Sequence, residues 1–271
     1  MKKFLLLLCF LASLIIIYYF HFQNFRSITP IANESFITSN TLPAHFDGTR
    51  VVHISDLMIR NERCLQLLTN VIELVNELQP DVIFFTGNLL MTDGLKFARE
   101  VQKLISDFEA DLMMIAVLGY HDLKHEELTN EILTNSGFRV LTNSSVQIFN
   151  QSVIGLNVIG VHPLSNSETI NQLFTMHVRD DRYNIVLNSS PTYSTTALEH
   201  DIPLQLSGSC LGRKDNANSS NPCFQFYDNS YFFGNSFRLH VNTGLARFEN
   251  LSGLINRPVV DSFILVRDTA K

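Results

Sequence analysis

The chain has 271 residues, enough for one large domain once an apolar leading segment is set aside. With 20 basic against 26 acidic residues and a net charge of −6, no cationic excess exists to draw in a phosphate backbone, so nucleic acid is excluded as a partner. No internal repeat or low-complexity tract is present.

Lys2-Lys3 precedes an uninterrupted apolar run from Phe4 to Phe20, near the shortest length that crosses a bilayer as a helix. The run ends in Ile15-Ile16-Ile17-Tyr18-Tyr19-Phe20, bulky where a cleaved signal peptide wants small residues, which favours an uncleaved anchor over a signal peptide. The two lysines place the amino terminus inside and the body on the outer side of the membrane, although Arg26 on the other flank argues the opposite way. The expected division is an anchor over 1–25, a polar juxtamembrane linker over 26–48 and a single domain over 49–271.

The first strand is Val51-Val52-His53-Ile54, opening onto Ser55-Asp56-Leu57-Met58. Leu65, Leu68, Val71, Ile72, Val75 and Leu78 then recur at three- and four-residue spacing, one buried helix face that Pro80 stops. A second strand, Val82 to Phe85, leads into Thr86-Gly87-Asn88, a second helical stretch spans 94–110, and a third strand ends at Gly119 before Tyr120-His121-Asp122. A shorter helix covers 126–135. Beyond it, strands are expected at 138–141, 145–149, 153–161, 183–187, 204–207, 231–233, 237–241 and 262–266, with a helix at 168–178. The alternation in the first half and the strand-rich, antiparallel texture of the second predict an α/β fold of two packed mixed sheets flanked by helices. Sites in such folds lie beyond the carboxyl ends of strands, here at Asp56, Asn88 and His121.

Five fragments in order carry a resemblance: Ser55-Asp56-Leu57, Pro80-Asp81-Val82-Ile83-Phe84-Phe85-Thr86-Gly87, Val117-Leu118-Gly119-Tyr120-His121-Asp122, Ile185-Val186-Leu187-Asn188-Ser189-Ser190-Pro191 and Leu204-Gln205-Leu206-Ser207-Gly208-Ser209-Cys210-Leu211-Gly212. Together they resemble the calcineurin-like metallophosphoesterase family, in its membrane-associated bacterial branch that includes UDP-2,3-diacylglucosamine pyrophosphatases. The resemblance implies an αββα sandwich, location at the bacterial cytoplasmic membrane and a dinuclear divalent-metal hydrolase site with seven ligand positions. Asp56 alone keeps the expected strong ligand; Met58, Asn88, Tyr120, Ser189, Ser209 and Leu211 stand at the other six positions. Imidazole and carboxylate supply most of the binding energy in such sites, and a thioether or alkyl group offers a hard cation nothing.

The expectation is therefore a catalytically impaired homologue, a pseudoenzyme with no bound cofactor, acting through a protein partner or a lipid-linked phosphate ligand. The competing expectation is an active phosphoesterase or pyrophosphatase using Mn²⁺, Mg²⁺ or Zn²⁺, with Asp56 and Asn88 as residual ligands. His121 matches the family residue that assists phosphoryl transfer, and Asp122 sits where a carboxylate would orient its ring. Asp93 lies too far beyond the strand to replace a bridging acid. His53 reads as a satisfied sheet residue, and His162, His177, His200 and His240 as scattered. Cys210 and Cys223 flank a polar loop and are equally consistent with a bridge or with free thiols. The aromatic run Phe224, Phe226, Tyr227, Tyr231, Phe232 and Phe233 reads as half-buried strand, or else as a lip toward the bilayer.

Overall fold

The computed structural model describes residues 2–212, 221–226, 228–234, 236–246 and 257–269, with 23–27 described by their main chain alone. In chain order the elements are α1 (Lys2–Ile28), β1 (Ile31–Ser39), β2 (Arg50–Ile54), α2 (Glu62–Glu77), β3 (Val82–Phe85), α3 (Ala98–Ile105), β4 (Met113–Ala116), α4 (Glu126–Asn135), β5 (Phe138–Val140), β6 (Ser144–Ile148), β7 (Leu156–Gly160), α5 (Ser167–His177), β8 (Tyr183–Leu187), α6 (Ser194–Glu199), β9 (Leu204–Ser207), β10 (Asn229–Phe233), β11 (Phe237–Val241) and β12 (Val259–Arg267). Two six-stranded sheets form, in the orders β1-β12-β2-β3-β4-β5 and β10-β11-β9-β8-β7-β6.

Side-chain patterning explains the layering. The helix spacing read in the sequence places Leu65, Leu68, Val71, Ile72 and Val75 of α2 on the outer face of the first sheet, against Val52, Ile54, Ile83 and Phe85. Asn61 caps that helix, its side chain accepting the Cys64 N–H at 3.1 Å. Alternate residues of the same strands, Val51, Val82 and Phe84, turn inward to meet Ile185, Leu187, Leu204 and Leu206 of the second sheet. The far face of the second sheet packs Val186, Leu239 and Val241 on Ile170, Leu173 and Phe174 of α5. The result is helix, sheet, sheet, helix, as the alternation predicts.

Two expectations are corrected. Residues 31–39 form β1, an edge strand parallel to β12 in register from Ile31↔Val259 to Ser39↔Arg267, where a linker was expected. Its polar run Asn33-Glu34-Ser35 reads as linker because an edge strand leaves one long side to solvent. The second sheet is parallel through β11, β9, β8 and β7, and antiparallel only at its β10 and β6 edges. Helices α5 and α6 supply the crossovers that parallel pairing requires, and α6 is too short to have shown a period.

The domain is fastened directly to the end of α1. The Asn70 side chain donates to the Ile28 carbonyl at 2.6 Å, Ile28 packs on the first-sheet core, and Arg257 donates to the Thr29 and Pro30 carbonyls. Cys210 and Cys223 are joined by a disulfide with Cα atoms 5.4 Å apart. Phe226, Tyr231 and Phe233 meet edge to face and pack on the second-sheet core, whereas Phe232 is exposed beneath the Arg238 guanidinium; Tyr227 lies outside the described residues.

Candidate functional site

The ends of β2, β3, β4, β8 and β9 converge, and the chain past each end turns sharply. Beyond β2 and β3 the two segments continue side by side: Asp56 N–H donates to the Gly87 carbonyl at 3.0 Å, Met58 N–H to Asn88 at 2.8 Å and Ile59 N–H to Leu89 at 2.9 Å. Asp56, Met58, Asn88, Ser209 and Leu211 all adopt left-handed backbone, with φ of 56°, 45°, 61°, 68° and 52°. Such conformations cost about 1–3 kcal/mol each in non-glycine residues and persist only where surrounding structure enforces them. Here close packing enforces them. A Cβ on Gly208 would lie 1.9 Å from Ser55 Oγ and 2.8 Å from Asp56 Oδ2, so the second sheet presses its loop against the first through a glycine.

Asp56 is the centre. It is 1% exposed, and both its oxygens are occupied: Oδ1 accepts from Asn88 Nδ2 at 2.7 Å, and Oδ2 accepts from Ser55 Oγ and from the Ser209 main-chain N–H, each at 2.8 Å. The same Asn88 amide donates to Ser209 Oγ at 3.2 Å, and its Oδ1 accepts the His121 N–H at 3.0 Å. Every polar atom of Asn88 is thus spent inside the site. Burial pushes the Asp56 carboxyl up to about 6, and the bonds from Asn88, Ser209 and Ser55 oppose that shift. A folded value near 6 against 3.8 means the native state holds this proton more tightly, so its contribution is fully present below about pH 3.8 and is lost as pH rises through 6. In urea unfolding, the wild type should lose about 2 kcal/mol relative to Asp56→Asn between pH 4 and pH 7. Parallel pH profiles for the two proteins would contradict this.

The remaining predicted positions fall around this centre. Met58 is buried among the core side chains, Leu211 packs against Gly244, and Ser189 is buried with its carbonyl accepting the Gly208 N–H. Tyr120 points outward, 66% exposed, its ring edge-on to His121. Asp93 is exposed on a short 3₁₀ turn, away from the strand end.

Asp122 does something other than orient His121. Its oxygens accept main-chain N–H groups from Asn88 at 2.7 Å, Leu89 at 2.8 Å and Gly119 at 2.8 Å, which ties the loop after β3 to the loop after β4. Burial raises its carboxyl and those main-chain bonds oppose the rise. The His121 ring is half-buried, with its pKa lowered by burial and by Lys124 and Arg60. Because the main-chain N–H of His121 makes the bond to Asn88, His121→Ala should change unfolding free energy by under about 0.5 kcal/mol. A thermal melt shifted by several degrees would show instead that the ring holds the loop.

Among the other histidines, His162 faces Glu126, His177 meets Ser145 and His200 meets Asn171, scattered as expected. His53 and His240 depart from expectation: with Asp261 they form one buried cluster. Their positions, 53, 240 and 261, share no sequence spacing; only sheet register brings them together.

The strand-end site on two packed α/β sheets defines a class of protein, an αββα sandwich whose site lies at the carboxyl ends of the strands. A model of the calcineurin-like phosphoesterase family matches residues 49–232, and the chain belongs to that family. It is similar to the uncharacterized metallophosphoesterase YkuE of Bacillus subtilis, 24% identical over 242 residues, covering 86% of this chain and 84% of that protein. It is also similar to the UDP-2,3-diacylglucosamine pyrophosphatase LpxG of Chlamydia trachomatis, 25% identical over 158 residues; the match spans 56% of this chain and 48% of LpxG. A solved structure covering 72% of this chain and 90% of its own superposes with a TM-score of 0.50 at 13% identity, a likeness of fold alone.

Proposed function

We propose that this chain is a membrane-tethered member of the family whose cleft has exchanged its metal pair for a hydrogen-bond network, and that it acts by binding a ligand or partner rather than by hydrolysis. One observation carries the reading: the Asn88 amide donates to Asp56 Oδ1 at 2.7 Å, occupying the carboxylate that a metal pair would need. The donor set does not fit two divalent ions. Met58 and Leu211 bring no hard donor, Asn88 presents N–H toward Asp56 rather than a bridging carboxylate, and Tyr120 is turned to solvent.

Tethering rests on α1, which over Lys2–Phe22 is long and apolar enough to cross a membrane and buries none of that stretch against the domain. Twenty-one helical residues span about 31 Å, the thickness of the hydrocarbon core. We place the anchor at 1–28 and the phosphoesterase domain from Ile31 onward, because the contacts of Ile28, Thr29 and Pro30 leave no free linker between them. The Cys210–Cys223 disulfide and Lys2-Lys3 both favour a body on the oxidising, outer side.

A second reading, hydrolysis of a lipid-linked pyrophosphate, is favoured by the similarity to LpxG. The two separate on a phosphodiester assay with the full chain and excess Mn²⁺, comparing wild type, Asp56→Ala and Met58→His. The binding reading expects rates at background for all three, since one restored imidazole cannot assemble a site that needs several ligands together. Turnover by the wild type that Asp56→Ala abolishes would establish the second reading, and turnover appearing only in Met58→His would show a site one ligand short of function.

A further inference from the structure

We propose that His53, His240 and Asp261 form a mononuclear site for a late divalent transition ion of the Zn²⁺ type, separate from the cleft around Asp56. All three are buried, at 0%, 3% and 2% exposure, and one ligand atom from each lies within 4.8 Å of the others. The cluster is built by register. Asp261 on β12 stands opposite His53 on β2 and beside Asn33 on β1, while His240 reaches in from β11 of the second sheet. It sits between the sheets, where the Phe263 ring meets the His240 edge at 4.9 Å.

Three features distinguish this from an ordinary buried histidine–aspartate pair. His53 Nε2 is bonded to Thr86 Oγ1 at 2.9 Å, which leaves Nδ1 buried with no hydrogen-bond partner among the described residues. An orphaned, fully buried ring nitrogen is uncommon, and a metal ion is the partner that suits a neutral imidazole lone pair. Each ligand is also held from behind: His53 by Thr86, His240 through Nδ1 to Ser230 Oγ at 2.9 Å, and Asp261 Oδ1 by Asn33 Nδ2 at 2.8 Å. Orientation of ligating imidazoles through their second nitrogen is the usual support of a metal site. Finally, a cavity of about 320 Å³ reaches the cluster, lined by His240, Asp261, Asn33, Asp228 and Thr243, and Thr243 Oγ1 is buried there without a partner among the described residues. Asp228 adds a negative charge along that route.

Two imidazoles and one carboxylate are a donor set suited to Zn²⁺ and its neighbours, with the fourth position left to water on the cavity side. The ion would take the place of the proton shared between His240 Nε2 and Asp261 Oδ2, now 2.7 Å apart. Ligands about 2 Å from a tetrahedral ion stand about 3.3 Å from one another, so closing around it requires side-chain shifts rather than strand movement. The site is linked to the cleft: Asn242 donates to Asp261 Oδ2 at 2.6 Å and accepts the Gly244 N–H at 2.7 Å, and Gly244 packs on Asp56.

The test uses the full chain in detergent with a histidine-free tag, stripped with chelator, dialysed against Zn²⁺ and assayed for bound metal. One ion per chain is expected in the wild type and in Asp56→Asn, falling at least a hundredfold in affinity in His53→Ala and His240→Ala. Substitution with Co²⁺ reads the wild type directly, so the test survives if those variants fail to fold: the intense visible bands of tetrahedral Co²⁺ are expected. Absence of binding, six-coordinate Co²⁺ spectra, or an ion that Asp56→Asn removes would each overturn the proposal. Absent binding or six-coordinate Co²⁺ spectra would leave the reading of the Asp56 cleft standing, since that rests on hydrolysis and on the Asp56 variant, whereas an ion that Asp56→Asn removes would count against both.

Discussion

Asp122→Ala is expected to cost about 4 kcal/mol of folding stability, which for a domain of ordinary stability approaches complete unfolding. The substitution deletes the shared acceptor of three buried N–H groups, on Asn88, Leu89 and Gly119. An unsatisfied buried donor costs about 1–3 kcal/mol, and the relief of not burying the carboxylate offsets part of the sum. The damage should be local as well as global, because the loops after β3 and β4 meet where a Cβ on Gly87 would stand 2.3 Å from the Gly119 nitrogen. Urea unfolding followed by circular dichroism measures the loss. Asp122→Asn, which keeps one acceptor oxygen, should fall between the two. A loss under about 0.5 kcal/mol in Asp122→Ala would mean that water replaces the carboxylate, and the loop knot would not be a support of the site.

Asn88→Asp carries the second large effect. It returns a carboxylate to the position where the family resemblance expects one, yet places it against Asp56 Oδ1 at a contact that is now a 2.7 Å donor bond. Two buried carboxylates facing each other cannot both ionise, so the new pair titrates with one value raised. Such a raised group stabilises the native state at low pH, where an O–H can still donate to Asp56, and that stability is lost as pH rises through its folded value. The expected loss is about 3–4 kcal/mol at pH 7.5, shrinking by about 2 kcal/mol at pH 5. Millimolar Mn²⁺ should not restore the loss at pH 7.5. Recovery by Mn²⁺ alone would mean that one added carboxylate suffices to hold an ion, contrary to the binding reading.

Much of the scaffold was readable because it is written in short-range patterns. The α2 face, the Pro80 stop and the runs at 183–187, 204–207 and 237–241 follow from local periodicity, and the structure reproduces those three strands at the same bounds. Long-range features were not readable. β1 pairs with a strand more than 200 residues away and shows solvent a polar side, so it resembles linker. Parallel pairing in the second sheet depends on a six-residue helix whose period is too short to detect.

The site divides in the same way. Asp56 and Asn88 were placed at strand ends by the order of motifs, and the structure brings them into direct contact. What each side chain does there depends on atoms supplied by distant loops. Asp122 looked like a partner for its neighbour His121, but left-handed turns at Asn88 and Gly87 bring main-chain N–H groups onto it first. His53 looked satisfied because a sequence does not show that Thr86 takes only one of its two nitrogens.

The central claim, that the cleft holds a hydrogen-bond network in place of a metal pair, is tested most directly by counting bound Mn²⁺ and Zn²⁺ in the wild type and in Asp56→Ala, each after saturation and removal of excess. The account predicts the same count in both proteins, because no ion depends on Asp56. Two ions in the wild type that vanish in Asp56→Ala would contradict it, and the Asn88 amide would then have to turn away from Asp56 to admit them.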